Sequence, residues 1–168
     1  MGRAVIDDAV HAAAKHIVEK FSARQLTVAT AESCTGGLVS GALTEIPGSS
    51  AVLLCGFITY SNDAKQRMLD VPTDVLREHG AVSRETALAM AQGALKHSAA
   101  SLSVAITGIA GPGGGSDDKP VGLVQFAAAR RGGRNITREM RFGDIGRGNV
   151  RQRSVLVALE MLDELAVD

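Results

Sequence analysis

The chain has no tryptophan, and its 168 residues include only one Tyr and four Phe. A core without large rings has to be assembled from Ala, Val, Leu and Ile, which suits helices packed closely on a sheet. An excess of charge of one sign is also missing, because 18 basic residues balance 18 acidic ones. A neutral chain poor in stacking side chains lacks the electrostatic footprint of a nucleic-acid binder, so no nucleic-acid partner is expected. Cysteine is scarce. Cys34 and Cys55 do not make a disulfide framework, and a reduced, cytoplasmic setting is expected. The opening MGRAVIDDAVHAAAKHIVEKF carries charges throughout and reads as neither a secretory leader nor a membrane span. Ile6 stands where a myristoylation signal needs Ser or Thr. What remains is a chain with 45% hydrophobic residues and the length of one domain, taken as 1–168.

The pattern along the chain is helix and strand in alternation. Residues 4–21 read as a helix with Val5, Ala9, Ala12, Ala13, His16, Ile17 and Phe21 on one side. QLTVATAES (25–33) is a short β-branched strand, followed by a helix from about Gly37 to Thr44 that Pro47 and Gly48 close. AVLLCGFITYS (51–61) is a continuous apolar run, the pattern of a strand covered on both faces. Two short helices follow, one capped by Ser61 or Asn62, the other between Pro72 and Gly80. Ser83 opens a further helix over 83–100, with an imperfect capping box. SLSVAITGIAG is another buried strand, VGLVQFAAARRG and NITREMRFG form a hairpin at Gly132–Gly133, and a helix over about 147–166 closes the chain. The order predicts a single three-layer α/β/α domain with a mixed, mostly parallel sheet of about five strands.

In such sheets ligands bind beyond the carboxyl ends of the strands. Three strands end in polar or glycine-rich segments: Ser33 after the first, Tyr60 to Lys65 after the second, Thr107 to Ser116 after the third. Ser33, at a strand-to-helix turn, is either an N-cap or a nucleophile whose oxyanion the N–H groups around Cys34, Thr35 and Gly36 would hold. Cys34 is the rival nucleophile, since a helix N-terminus lowers a thiol pKa; spacing does not tell which side chain faces the cleft. The four histidines lie in or near helices, so Lys65, just past a strand end, is the better candidate base, against the plainer reading of a solvated helical lysine. Tyr60 either hydrogen-bonds Lys65 or the substrate, or merely straddles the surface. TGIAGPGGGS offers backbone N–H groups for a phosphate or a ring edge, yet is neither a Walker motif nor the dinucleotide fingerprint. No His/Cys cluster has metal-ligand spacing.

Four segments, TAESCTGGLVSGALTEIPGSS, GFITYSNDAKQRMLDV, HGAVSRETALAMAQGAL and ITGIAGPGGGSDDKPVGLVQFA, resemble the CinA carboxy-terminal domain family over nearly the whole chain. The resemblance implies a stand-alone nicotinamide mononucleotide deamidase in pyridine nucleotide recycling. Such an enzyme hydrolyses the carboxamide to nicotinic acid mononucleotide and ammonia without metal or redox cofactor. It places the family's nucleophile on Ser33 and its lysine base on Lys65, with Tyr60 assisting. Substrate binding falls on Cys34, Thr35, Gly36, Thr107, Gly108, Gly111, Gly113 and Gly114, and on Arg147. The amino-terminal domain of longer members, and its activity, are expected to be missing. GDIGRGNVRQR departs from the family pattern by two extra residues before the arginines that align as Arg147 and Arg151. A homodimer is expected, from the resemblance and from the apolar stripe on the first helix. Two other readings share these residues: a non-catalytic pyridine-nucleotide sensor, and a Ser–Lys hydrolase of a different amide.

Overall fold

Each strand read from the sequence is present in the computed structural model, which describes residues 6–167; Val5 lies outside the described residues. In chain order the elements are α1 (Asp8–Ala23), β1 (Val28–Glu32), α2 (Leu38–Thr44), β2 (Leu53–Ile58), α3 (Asn62–Leu69), α4 (Thr73–His79), α5 (Arg84–Lys96), β3 (Leu102–Gly108), β4 (Leu123–Arg130), β5 (Asn135–Arg141) and α6 (Arg147–Leu165). The five strands form one sheet in the order β2-β1-β3-β4-β5. β1 runs parallel to both β2 and β3, while β4 and β5 are antiparallel additions joined by the hairpin. The carboxyl ends of β1, β2 and β3 therefore meet at one edge of the sheet.

Helices α1, α2 and α6 cover one face, α3, α4 and α5 the other. The first face holds the larger side chains, among them Phe21, Val28, Leu43, Val104, Phe126, Leu159 and Leu162, all fully buried. The second is paved by Ala29, Ala31, Ala105 and Ala127, so α5 lies close to the strands. α5 also lets α3 come close: a Cβ added at Gly93 would land on the Leu69 carbonyl oxygen, 2.8 Å from the Leu69 carbonyl carbon. That contact fixes the height of α3, and with it Lys65.

Two expectations are corrected. The buried stripe of α1 is Val10, Ala14, Ile17, Val18 and Phe21, with Ala9, Ala12 and His16 exposed. The stripe is rotated about one residue from the predicted one and is spent inside against α6, so it does not supply a dimer face. β2 is not covered on both faces. It is an edge strand in which Leu54, Gly56 and Ile58 are exposed and alternate with half-buried neighbours. An unbroken apolar run tells a strand from a loop, but it does not tell a central strand from an edge that another surface covers.

Candidate active site

The turn after β1 removes one reading of Ser33, that of the N-cap of α2. The N-cap of α2 is Gly37 at φ +99, with no side-chain cap of its own. The acceptors come from Glu32, a fully buried carboxylate. It accepts from the Gly37 and Val39 N–H groups at 3.1 Å, and from the Ser40 N–H at 2.9 Å and hydroxyl at 3.2 Å. Glu32 thus occupies the positive end of α2 that an outside anion would otherwise use. Ser33 is relieved of capping, and its Oγ sits 3.0 Å from Lys65 Nζ.

Lys65 reaches Ser33 from the first turn of α3, whose N-cap is Ser61, bonded to the Ala64 N–H at 3.0 Å. The lysine is 1% exposed, and Nζ also donates to the Thr59 carbonyl at 2.8 Å. Among the described residues, no carboxylate pairs with it. Burial therefore lowers its pKa, from 10.5 to about 8. A neutral amine at this place donates one proton to Thr59 and turns its lone pair to the serine hydroxyl. Thr59 is in turn fixed by its N–H, which extends the β1–β2 ladder to the Glu32 carbonyl at 2.9 Å.

Cys34 is placed differently from Ser33. It is 5% exposed and packs in the larger core. Burial pushes its thiol up to about 12, with Glu32 adding to the shift. The helix terminus that was expected to acidify it is neutralised by the Glu32 carboxylate. Two hydroxyls flanking the pair, those of Thr35 and Thr59, are fully buried and have no hydrogen-bond partner. In the turn itself the Gly36 N–H closes back on the Ser33 carbonyl at 3.0 Å, and the Ser33 N–H goes to Ile106 at 2.9 Å. Among the described residues, neither the Cys34 nor the Thr35 N–H bonds another residue's backbone, and the Cys34 N–H lies against its own thiol.

Of the remaining predicted residues, Tyr60, Arg147, Gly113 and Gly114 are exposed at the rim, while Thr107 and Gly111 are buried. Tyr60 is exposed, and its hydroxyl accepts from Arg147 Nη2 at 2.9 Å rather than meeting Lys65. Arg147 also donates to the Gly111 carbonyl at 3.0 Å, tying the β2 end to the glycine-rich segment. Gly113 and Gly114 are exposed, and Gly108 lies tight against Val124. Thr107 is buried and donates to the Ala81 carbonyl at 2.7 Å. Before α6, Ile145 packs onto the larger core and Gly146 caps the helix at φ +88. One turn on, Arg151 donates to the Cys34 and Thr35 carbonyls, both at 3.1 Å. His16 and His97 bond Asp163 and Asp70, away from the serine. Among the described residues no group of three His, Cys, Asp or Glu side chains is placed to hold a metal ion. No described helix is long and apolar enough to cross a membrane.

Sequence reading missed Glu32 and Thr59 as supports of the site. A carboxylate placed five residues before the N-cap of a helix was the visible signal for the first. The second acts through its backbone and leaves no signature.

Residues 10–166 match the family described as the CinA C-terminal domain. The chain is 53% identical over 137 residues to a CinA-like protein of Parasynechococcus marenigrum, covering 81% of this chain and 32% of that protein. It spans about a third of the length of the curated relatives that it matches first. It is also 49% identical over 149 residues to the nicotinamide-nucleotide amidohydrolase PncC of Escherichia coli K12, covering 88% of this chain and 89% of that protein. Among solved structures, the competence/damage inducible protein CihA of Agrobacterium tumefaciens superposes with a TM-score of 0.95 at 55% identity, covering 98% of this chain and 99% of the other.

Proposed function

The chain belongs to the CinA C-terminal domain family, and on that premise we propose that it hydrolyses the carboxamide of nicotinamide mononucleotide, giving nicotinic acid mononucleotide and ammonia. The observation that carries this reading is the buried lysine amine 3.0 Å from a serine hydroxyl that has no capping duty. A nucleotide-binding sensor has no use for such a pair. Lys65 takes the Ser33 proton as Oγ attacks the carboxamide carbon. The carbonyl oxygen gains negative charge beside the Cys34 and Thr35 N–H groups. The Lys65 ammonium then protonates the departing nitrogen, and the C–N bond breaks to release ammonia and leave an acyl-serine. Water, deprotonated by the same amine, attacks the ester, and the ammonium returns its proton to Ser33 Oγ as the acid leaves. Arg147 uses two of its five N–H donors on Tyr60 and Gly111, which leaves others for the substrate phosphate beside the Gly111–Gly114 segment. The free thiols Cys34 and Cys55 suit a reducing cytoplasm.

Incubation of the purified protein with nicotinamide mononucleotide tests the reading. Ammonia and the nucleotide acid are expected in equal amounts. Binding of the nucleotide without ammonia release would favour the sensor reading, and release from other amides but not this one would move the substrate.

A second copy of the chain is the proposed partner, and the β2 edge is its place. The other edge strand, β5, carries Arg138, Glu139 and Arg141, charges that discourage edge pairing. β2 carries none and exposes Leu54 and Ile58, with Tyr60 and Met68 also exposed. An antiparallel two-fold through Gly56 sets Leu54 of one copy opposite Ile58 of the other. Sedimentation of the wild type as a dimer at tens of micromolar, and of the Leu54→Lys, Ile58→Lys double variant as a monomer, is the expected result. A wild-type monomer contradicts it.

A further inference from the structure

The turn from Ser33 to Gly36 holds three consecutive peptide groups, and each has its carbonyl pinned. A trans peptide is planar, so its C=O and N–H point in opposite directions and fixing one fixes the other. The Ser33 carbonyl accepts from the Gly36 N–H at 3.0 Å, which sets the peptide carrying the Cys34 N–H. The Cys34 carbonyl accepts from Arg151 Nε at 3.1 Å, which sets the peptide carrying the Thr35 N–H. The Thr35 carbonyl accepts from Arg151 Nη2 at 3.1 Å and from the Leu38 N–H at 3.2 Å, which together set the peptide carrying the Gly36 N–H, the same group that closes the turn. Arg151 therefore holds the plane of the Thr35 N–H and shares the next with Leu38.

Gly36 is the residue that lets this happen. It turns at φ +59, and a Cβ there would sit 3.5 Å from Arg151 Nη2. A guanidinium is suited to the task because its fixed fork presents two N–H vectors to two neighbouring carbonyls at once. Its charge also makes both contacts stronger than those of a neutral donor at the same distance. A cation drawing on the Cys34 carbonyl polarises the whole peptide and makes the Thr35 N–H a better donor.

We infer that Arg151 is a positioning residue for the reaction: from α6 it aims and strengthens the Thr35 N–H as one of two donors to the developing oxyanion, without touching substrate. The inference rests on the amidohydrolase reading. It separates Arg151 from Arg147, four residues earlier on the same helix, which reaches the rim instead.

The test is steady-state kinetics of Arg151→Lys and Arg151→Gln with nicotinamide mononucleotide, beside thermal melts of each. Wild-type release of ammonia establishes the reading that the inference depends on; its failure would count against that reading. With the wild type active, the expected result for Arg151→Gln is a kcat loss of about 10²–10³-fold, the scale of one oxyanion donor, with KM within about threefold. Arg151→Lys, which offers a point charge to one carbonyl, falls between the two, and also supplies the reading if Arg151→Gln does not fold. The pH dependence keeps its midpoint near that of the wild type. A rise in KM at unchanged kcat would overturn the inference by making Arg151 a substrate contact. A loss of activity that only follows the unfolded fraction would overturn it by making the role structural, and full activity in both variants would overturn it outright.

Discussion

Lys65→Met is expected to lower turnover of nicotinamide mononucleotide by three or more orders of magnitude, the scale of losing a general base in a serine hydrolase. The same lysine sets the pH dependence of the wild type. Its pKa is lowered to about 8 by burial, so kcat/KM rises as the pH passes through about 8 and levels off above it. Stability carries the same signature. Between about 8 and the ordinary value of 10.5, the unfolded chain holds a proton that the folded chain does not, so folding is favoured as the pH rises. Across that window the wild type gains on Lys65→Met by about 1.4 kcal/mol per pH unit, and below it the difference is flat. Denaturation of both proteins between pH 6 and 10 measures this. A difference that does not change with pH, together with a rate profile flat through pH 8, would mean that Lys65 is not the titrating base.

Gly93→Ala is the second large effect, and its sign is diagnostic. In an isolated helix the change to alanine stabilises by about 1 kcal/mol. Here the new methyl would overlap the Leu69 carbonyl. α5 has little freedom to retreat, since Ala87, Met90, Ala91 and Ala94 are fully buried in the smaller core. The end of α3 must move instead, and Lys65 lies one turn from Leu69 on that helix. The expected loss is about 1–3 kcal/mol, the usual scale of overpacking, with activity of the folded fraction down at least tenfold. Urea denaturation and assay of the same preparation check both. A variant as stable and as active as the wild type would show that α3 is not held in place by this contact.

Much of the fold was legible because its signals are local. Gly, Pro and Ser punctuate the helices, and β-branched runs mark strands whose carboxyl ends had to converge once β1, β2 and β3 were parallel. On α6, Val150, Val155, Leu159 and Leu162 recur at helical spacing and all are buried. The α1 stripe was misread because alanines were counted as core on a helix whose neighbours had not been placed. The edge position of β2 was hidden because apolar content reports what is eventually covered, by the same chain or another. In the site, position at strand ends made Ser33 and Lys65 candidates, and the family resemblance gave them their expected roles. What spacing left open was the use of each group in the turn. Glu32 takes the end of α2, Cys34 turns into the core, and Arg151 grips the carbonyls between them; each is a contact between distant elements or a choice of rotamer.

The central claim, that Ser33 is the nucleophile, is tested most directly by ammonia release from nicotinamide mononucleotide with Ser33→Ala and Cys34→Ala side by side. The account predicts that Ser33→Ala loses at least three orders of magnitude in rate while remaining folded, and that Cys34→Ala keeps its rate within about tenfold, the change being one of core packing. An active Ser33→Ala beside a dead but folded Cys34→Ala would contradict it and move the chemistry to the thiol.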